Sequence, residues 1–208
     1  SLLIWAFSAR CLLTMSIDYY NQHADSFVEG TLSVDMQPLY QRFLPLLAAG
    51  AHIVDAGCGS GRDSLYFHQQ GFRVTAFDAS AELALRAERL LGQPVQLCRF
   101  EQFVAPVPVD AIWACASLLH VPRAELDAVM AHLCQQLADG GLLYCSFKYG
   151  VDETERDGRA FTQLDEAGLH ALITPLPLSE VETWLTADRR PGREQERWLN
   201  AIVRKVGS

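Results

Sequence analysis

The stretch Ile53-Val54-Asp55-Ala56-Gly57-Cys58-Gly59-Ser60-Gly61 carries the most chemical information in this chain: an apolar run ends in an acidic residue and is followed by glycines at alternate positions. Glycine permits positive φ and lets the backbone approach a ligand closely, and a helix that follows offers unpaired N–H groups. A dinucleotide turn, G-x-G-x-x-G, would need its third glycine where Arg62 stands, and the Gly-Lys-Ser/Thr of a P-loop is absent. Asp55 discriminates further. A carboxylate there would repel a pyrophosphate but can accept a hydrogen bond from an ammonium group. The plainer alternative is an ordinary tight turn from strand to helix.

Asp78 lies 17 positions beyond Gly61, at the end of a second apolar run. A carboxylate at such a strand end can accept hydrogen bonds from both ribose hydroxyls of a nucleoside. Its alternative role is to share the helix cap with Ser80. His120 follows a fourth strand, at the rim where α/β sheets bind ligands, and is the candidate general base; it could equally pack the turn before Pro122. Arg189, Arg190 and Arg193 cluster near the C-terminus, while Lys148, Arg156 and Arg159 follow the fifth strand. As a group they suit an anion, since guanidinium forks match oxyanions; singly they read as salt-bridged loop residues beside Glu194 and Glu196. Lys148, Arg190 and Arg193 are the candidate substrate ligands.

These residues need a scaffold. Helical spacing over 38–48 stops at Gly50, after which strands and helices alternate. Strands are expected at 51–55, 72–77, 95–98, 110–115 and 142–147. The intervening helices are expected at 62–70, 81–91 and from Pro122 to about Leu137, with Asp139-Gly140-Gly141 as the stop of the last. Such alternation implies right-handed crossovers and a parallel sheet covered on both faces. After a helix at 164–173, strands at 181–186 and 198–205 are joined by too few residues for a crossover, so they should pair antiparallel. The polar segment 149–159 is read as lid-like.

The 208 residues suffice for one well-buried core. A hydrophobic fraction of 50% with 20% charged residues is ordinary for a globular domain and argues against disorder. The formal net charge of −8 disfavours a phosphate backbone as partner, so no nucleic acid is expected. Cys11, Cys58, Cys98, Cys115, Cys134 and Cys145 form no CxxC pair, which points to no metal site and to a reduced, cytoplasmic protein. Residues 1–14 are apolar but too short to span a bilayer and lack the basic start of a signal peptide, so no membrane partner is expected. They are read as a non-native or disordered extension ahead of a single domain at 15–208.

The strings DAGCGSGRDSLYF, FDAS and ASLLHVPR resemble class I S-adenosylmethionine-dependent methyltransferases, in particular the small tellurite-resistance-type branch and more loosely the ubiquinone-biosynthesis type. The resemblance runs from about Asp18 to Lys205. It implies an α/β fold with a doubly wound, seven-stranded, mostly parallel sheet of Rossmann-like type and an antiparallel last strand. It further implies that S-adenosylmethionine lies along Asp55, Gly57, Cys58, Gly59, Gly61, Arg62 and Asp63, with Asp78 and Ala79 at the ribose. Phe100 and Glu101 would flank adenine, where many relatives carry an aspartate. Ala116 and Ser117 would approach the methionine end, and Tyr20 would belong to an N-terminal lid with Tyr19 and Phe27. The implied activity is methyl transfer to a small molecule, anionic or a metalloid oxyanion, by a monomer or weak homodimer. A catalytically silent S-adenosylmethionine-binding protein is the alternative. Arg62 at the third-glycine position disfavours a nicotinamide oxidoreductase, and no Asn-Pro-Pro-aromatic signature for nucleic-acid methylation follows the fourth strand.

Overall fold

The computed structural model describes residues 2–188 and 190–207, with backbone alone for residues 2–11. Arg189, one of the clustered arginines, lies outside the described residues.

Seven strands form one sheet: β1 (His52–Ala56), β2 (Arg73–Asp78), β3 (Gln96–Leu97), β4 (Val109–Ala114), β5 (Leu137–Lys148), β8 (Leu178–Ala187) and β9 (Arg197–Lys205). Their order is β3-β2-β1-β4-β5-β9-β8. The first five run parallel, and β9 inserts antiparallel between β5 and β8. The reversal of order between β1 and β4 makes this edge of the sheet the topological switch point, where α/β sheets open a crevice for ligands.

Both faces of the sheet are buried, as parallel strands require. Successive β4 side chains alternate between them. Ile112 and Ala114 face the layer of α6 (Arg123–Gln136) and α7 (Glu166–Ile173), where Leu126, Met130, Leu133 and Leu169 are fully buried. Ala111 and Trp113 face α3 (Gln37–Phe43) and α4 (Arg62–Gln69), packing with Tyr40, Phe43 and Phe67. Helix α5 (Ala81–Leu91) covers β2 through Ala84 and Ala87. Ser80 caps α5 by accepting from the Leu83 amide at 3.2 Å, and Gly92, at φ +66°, stops it.

Three segments depart from the sequence reading. Residues 2–14, read as an extension, are helical, because α1 runs from Leu2 to Gln22 before α2 (Ala24–Leu32). No helix among the described residues is long and apolar enough to cross a membrane. The Asp139-Gly140-Gly141 stop falls inside β5. There the register against β4 shifts between Val109↔Leu137 and Ala111↔Leu142, so four β5 residues stand opposite one β4 residue and the glycines interrupt the ladder within the strand. The polar segment 149–159, which carried no expected strand, runs into a hairpin of β6 (Glu153–Arg156) and β7 (Arg159–Thr162). Its turn places Asp157 at φ +52° and Gly158 at φ +79°, the conformation that an Asp-Gly pair adopts in a two-residue hairpin loop. All four β7 residues are buried.

Candidate active site

The glycine turn is fastened to the end of β2. The amides of Gly57 and Cys58 both donate to the Phe77 carbonyl, at 3.0 and 2.9 Å. Gly57, Gly59 and Gly61 have φ of +73°, +54° and +83°. A methyl group on Gly57 would stand 2.6 Å from Ser117 Cβ, and one on Gly59 would stand 3.1 Å from the Phe27 ring. Gly61 serves a different purpose: a Cβ there would meet Ala87 on α5 at 3.3 Å, so this glycine permits close helix packing.

Asp78 lines the adjoining cavity. Its Oδ2 accepts from the Gly59 amide and its Oδ1 from the Ser80 amide, each at 2.9 Å. Each oxygen retains acceptor capacity beyond these backbone bonds. Burial pushes this carboxyl up, opposed by those backbone hydrogen bonds.

The cavity encloses about 760 Å³, its open mouth included, and is lined by Gly57, Gly59, Asp78, Ala79, Phe100, Glu101, Ala116, Ser117, Tyr20 and His120 of the expected residues. Phe77 and Phe100, at 5.8 Å in edge-to-face contact, give it an apolar end. Asp78, Glu101 and Glu125 oppose a lone guanidinium, Arg99, among the lining side chains. That balance suits a ligand with net positive charge and opposes a pyrophosphate. Glu125 and Arg99 had no sequence signal. Helices α1 and α2 roof the cavity with Leu13, Ile17, Tyr20 and Phe27. Asn21 Oδ1 fixes the roof, accepting from the Ser80 hydroxyl at 2.6 Å, and Ser16 Oγ accepts from the Ala160 amide at 3.0 Å.

Five expected cofactor residues lie off this lining. Asp55 is buried behind the turn, where its Oδ2 accepts from the Ser64 hydroxyl at 2.6 Å. Burial and then the nearby Asp63 charge push its carboxyl far above the usual range. Asp63 anchors α4 to the sheet by accepting from Trp113 Nε1 at 2.8 Å and from the Tyr40 hydroxyl. Arg62 reaches away to the Thr31 carbonyl at 3.1 Å and pairs with Asp63. Cys58 has its thiol pushed up chiefly by burial, and Gly61 faces α5. These residues shape the turn from behind.

At the far end, the Ala116 backbone sits at φ +48°, unusual for a residue with a side chain. The Ala116 amide donates to Ser146 Oγ at 2.7 Å, and Ser117 Oγ donates to the Ala56 carbonyl at 2.7 Å. His120 Nδ1 donates to the Ala160 carbonyl at 2.8 Å, so Nε2 is the acceptor and receives the Tyr20 hydroxyl at 2.7 Å. Burial holds the imidazole down at about 4, and the Tyr20 phenol is pushed up, also by burial.

The expected substrate ligands lie beyond His120, off the cavity lining. Arg190 is committed to Asp188, with Nε–Oδ1 at 3.0 Å and Nη2–Oδ2 at 2.5 Å. Although burial opposes it, hydrogen bonds from Arg190 and Trp198 hold Asp188 down at about 2. Lys148 is buried with its Nζ 4.1 Å from the Phe161 ring centre. Arg193 and Arg159 remain close to it.

The chain belongs to the methyltransferase domain family, whose model matches residues 28–187. It is similar to the malonyl-[acyl-carrier protein] O-methyltransferase of Serratia marcescens, at 32% identity over 153 residues, 73% of this chain and 58% of that protein. It is also similar to a ubiquinone biosynthesis O-methyltransferase of Xylella fastidiosa, at 38% identity over 108 residues, 47% of this chain and 42% of that protein. This chain therefore spans less than two thirds of the length of these relatives. Among solved structures, the Burkholderia thailandensis 1,6-didemethyltoxoflavin-N1-methyltransferase, with its substrate and S-adenosylhomocysteine bound, has a TM-score of 0.74 at 23% identity, covering 92% of this chain and 85% of that one. The N-methyltransferase NodS of Bradyrhizobium japonicum, in complex with S-adenosylhomocysteine, has a TM-score of 0.65 at 16% identity, covering 88% and 98%. The sheet described above is their Rossmann-like methyltransferase fold.

Proposed function

We propose that this protein is an S-adenosylmethionine-dependent methyltransferase acting on a small, anionic acceptor. The observation that carries the reading is Asp78, held between the Gly59 and Ser80 amides on an acid-lined cavity beside a glycine turn. Its two oxygens suit two adjacent ribose hydroxyls, the aromatic end formed by Phe77 and Phe100 suits a planar base, and the acidic lining suits a sulfonium and an ammonium. When bound, S-adenosylmethionine supplies a methyl group on a positively charged sulfur. The chain then has to align the acceptor and exclude water, which the α1–α2 roof does.

For the acceptor, the cations beyond His120 support an anion, either organic or a metalloid oxyanion of the tellurite-resistance type. Two relatives named as O-methyltransferases support an oxygen nucleophile. Incubation with methyl-labelled S-adenosylmethionine and a panel of carboxylates, phenols and metalloid oxyanions, scored by S-adenosylhomocysteine release, tests the reading. Turnover of an anionic member is expected. Cofactor binding with no turnover across the panel would favour a silent binding protein.

A further inference from the structure

The strand β7 carries a guanidinium into the interior. Arg159 is only 9% exposed, yet its Nε has no hydrogen-bond partner among the described residues. Its guanidinium carbon lies 4.6 Å from the Tyr19 ring centre and 5.2 Å from that of Phe161. The guanidinium lies over both rings and within hydrogen-bonding reach of the Tyr20 hydroxyl, which leaves Nε as its orphaned donor. Lys148, 8% exposed, stands over the Phe161 ring as well. Arg193 has a second orphaned buried nitrogen, Nη1.

The carboxylates nearby balance this group only in part. Asp188 is taken by Arg190 and Glu196 Oε1 by Arg156 at 2.6 Å, which leaves Glu196 Oε2, buried and without a hydrogen-bond partner, against three cations. Among the described residues, Lys148, Arg159 and Arg193 have no ion pair. Buried positive charges that repel one another and leave donors unsatisfied are costly unless something on the outside completes them. Here the mutual repulsion is visible at Lys148, whose ammonium is lowered to about 8 by burial and by Arg190, Arg193 and Arg159, against the pull of Glu196.

The position of the group says what it is for. Arg159 is close enough to the Tyr20 hydroxyl to favour its ionised form, and His120 packs on Phe161 with ring centres 5.1 Å apart. Tyr20 and His120 both line the cofactor cavity. Arg159 thus reaches the lining through Tyr20, and Lys148 and Arg159 share with His120 the ring of Phe161.

Resting on the methyltransferase reading, we propose that Arg159, with Lys148 and Arg193, forms the acceptor subsite and binds a carboxylate or phosphate group of the substrate. The fork of Arg159, orphaned at Nε and lying over two aromatic rings, supplies the planar two-point contact that an oxyanion takes. Arg190 has no direct part in it, because Asp188 already occupies its fork.

The test is a titration of the S-adenosylhomocysteine-loaded protein with malonate, with inorganic phosphate and with uncharged malonamide, following the Arg Nε–H resonances by NMR. Calorimetry of S-adenosylhomocysteine on each protein is run beside it. The subsite predicts a saturable shift of the Arg159 Nε–H signal with malonate or phosphate, and the anion that produces it identifies the group. It also predicts no such shift with malonamide. In Lys148→Met, which keeps that signal, the saturating concentration should rise by about tenfold or more. Arg159→Lys and Arg159→Met, followed through the remaining arginine signals, should weaken the anion equally, since lysine lacks the fork, while S-adenosylhomocysteine affinity stays at the wild-type value. A response to malonamide equal to that of malonate, no saturable shift with either anion, or unchanged anion affinity in the variants would each overturn the subsite. Failure of the wild type to bind S-adenosylhomocysteine would instead overturn the methyltransferase reading.

Discussion

The hydroxyl of Tyr20 on α1 donates to His120 Nε2 across 100 residues of sequence, at 2.7 Å, while the other ring nitrogen donates to the Ala160 carbonyl. The roof of the cavity and the turn after β4 are thereby joined at one imidazole, which is neutral because burial holds it at about 4.

Two consequences follow for His120. Between about 4 and 6.5 the unfolded chain takes up a proton that the folded imidazole refuses, so stability is lost as pH falls through that window. Melting temperature in His120→Asn should therefore drop less than wild type between about pH 7.5 and about pH 4.5. In kinetics, kcat should show no inflection near the ordinary histidine pKa. An inflection there that disappears in His120→Asn would mean that the ring titrates freely. Tyr20→Phe, which removes one hydrogen bond of about 0.5–1.5 kcal/mol, should lower kcat/KM for the acceptor more than it lowers cofactor affinity.

Gly57 has no room for a side chain. Gly57→Ala should cost about 1–2 kcal/mol for the left-handed backbone and about 1–3 kcal/mol for the clash with Ser117. Adding Ser117→Gly should relieve only the second contribution. Denaturant unfolding of the two single variants and the double variant should give a coupling of about 1–3 kcal/mol; strict additivity would place Ser117 away from the turn.

Asp55 is expected to behave as a structural acid. Burial and the Asp63 charge raise its folded pKa to about 8, so the folded state holds a proton that the unfolded state releases. Its contribution to stability is accordingly present at low pH and lost as pH rises from the ordinary carboxylate range through about 8. Asp55→Asn should raise the melting temperature at about pH 8 and change it little at about pH 4. S-adenosylmethionine affinity should stay near wild type, since Asp55 faces Ser64 and not the cavity.

Much of this architecture is legible in the sequence because local signals and long-range packing agree. Ser80 and Gly92 bracket α5 at the residues expected. The short polar link after β8 leaves no choice but an antiparallel pair with β9. The glycine turn and Asp78 stand out because few other functions need that spacing. What stayed hidden depends on tertiary placement. The alternation that marks a strand is masked in β7 by Arg159 and Thr162, buried polar residues whose environment comes from α1 and the turn after β4. Asp157-Gly158 was the available hairpin signal. Asp55 and Asp63 are carboxylates of the same turn, and only the positions of Ser64, Tyr40 and Trp113 reveal that both point inward. The apolar start of the chain gives no sign that Leu13 and Ile17 would roof a cavity.

The central claim, that this cavity holds S-adenosylmethionine through Asp78, is tested most directly by calorimetric titration of the cofactor into the wild type and Asp78→Ala, with thermal melts confirming that both are folded. Saturable one-to-one binding to the wild type is expected. In the variant, loss of a charge-assisted contact should weaken binding by about 1.5–3 kcal/mol, roughly ten- to more than a hundredfold. Equal affinity in the two folded proteins, or no binding to the wild type, would contradict it.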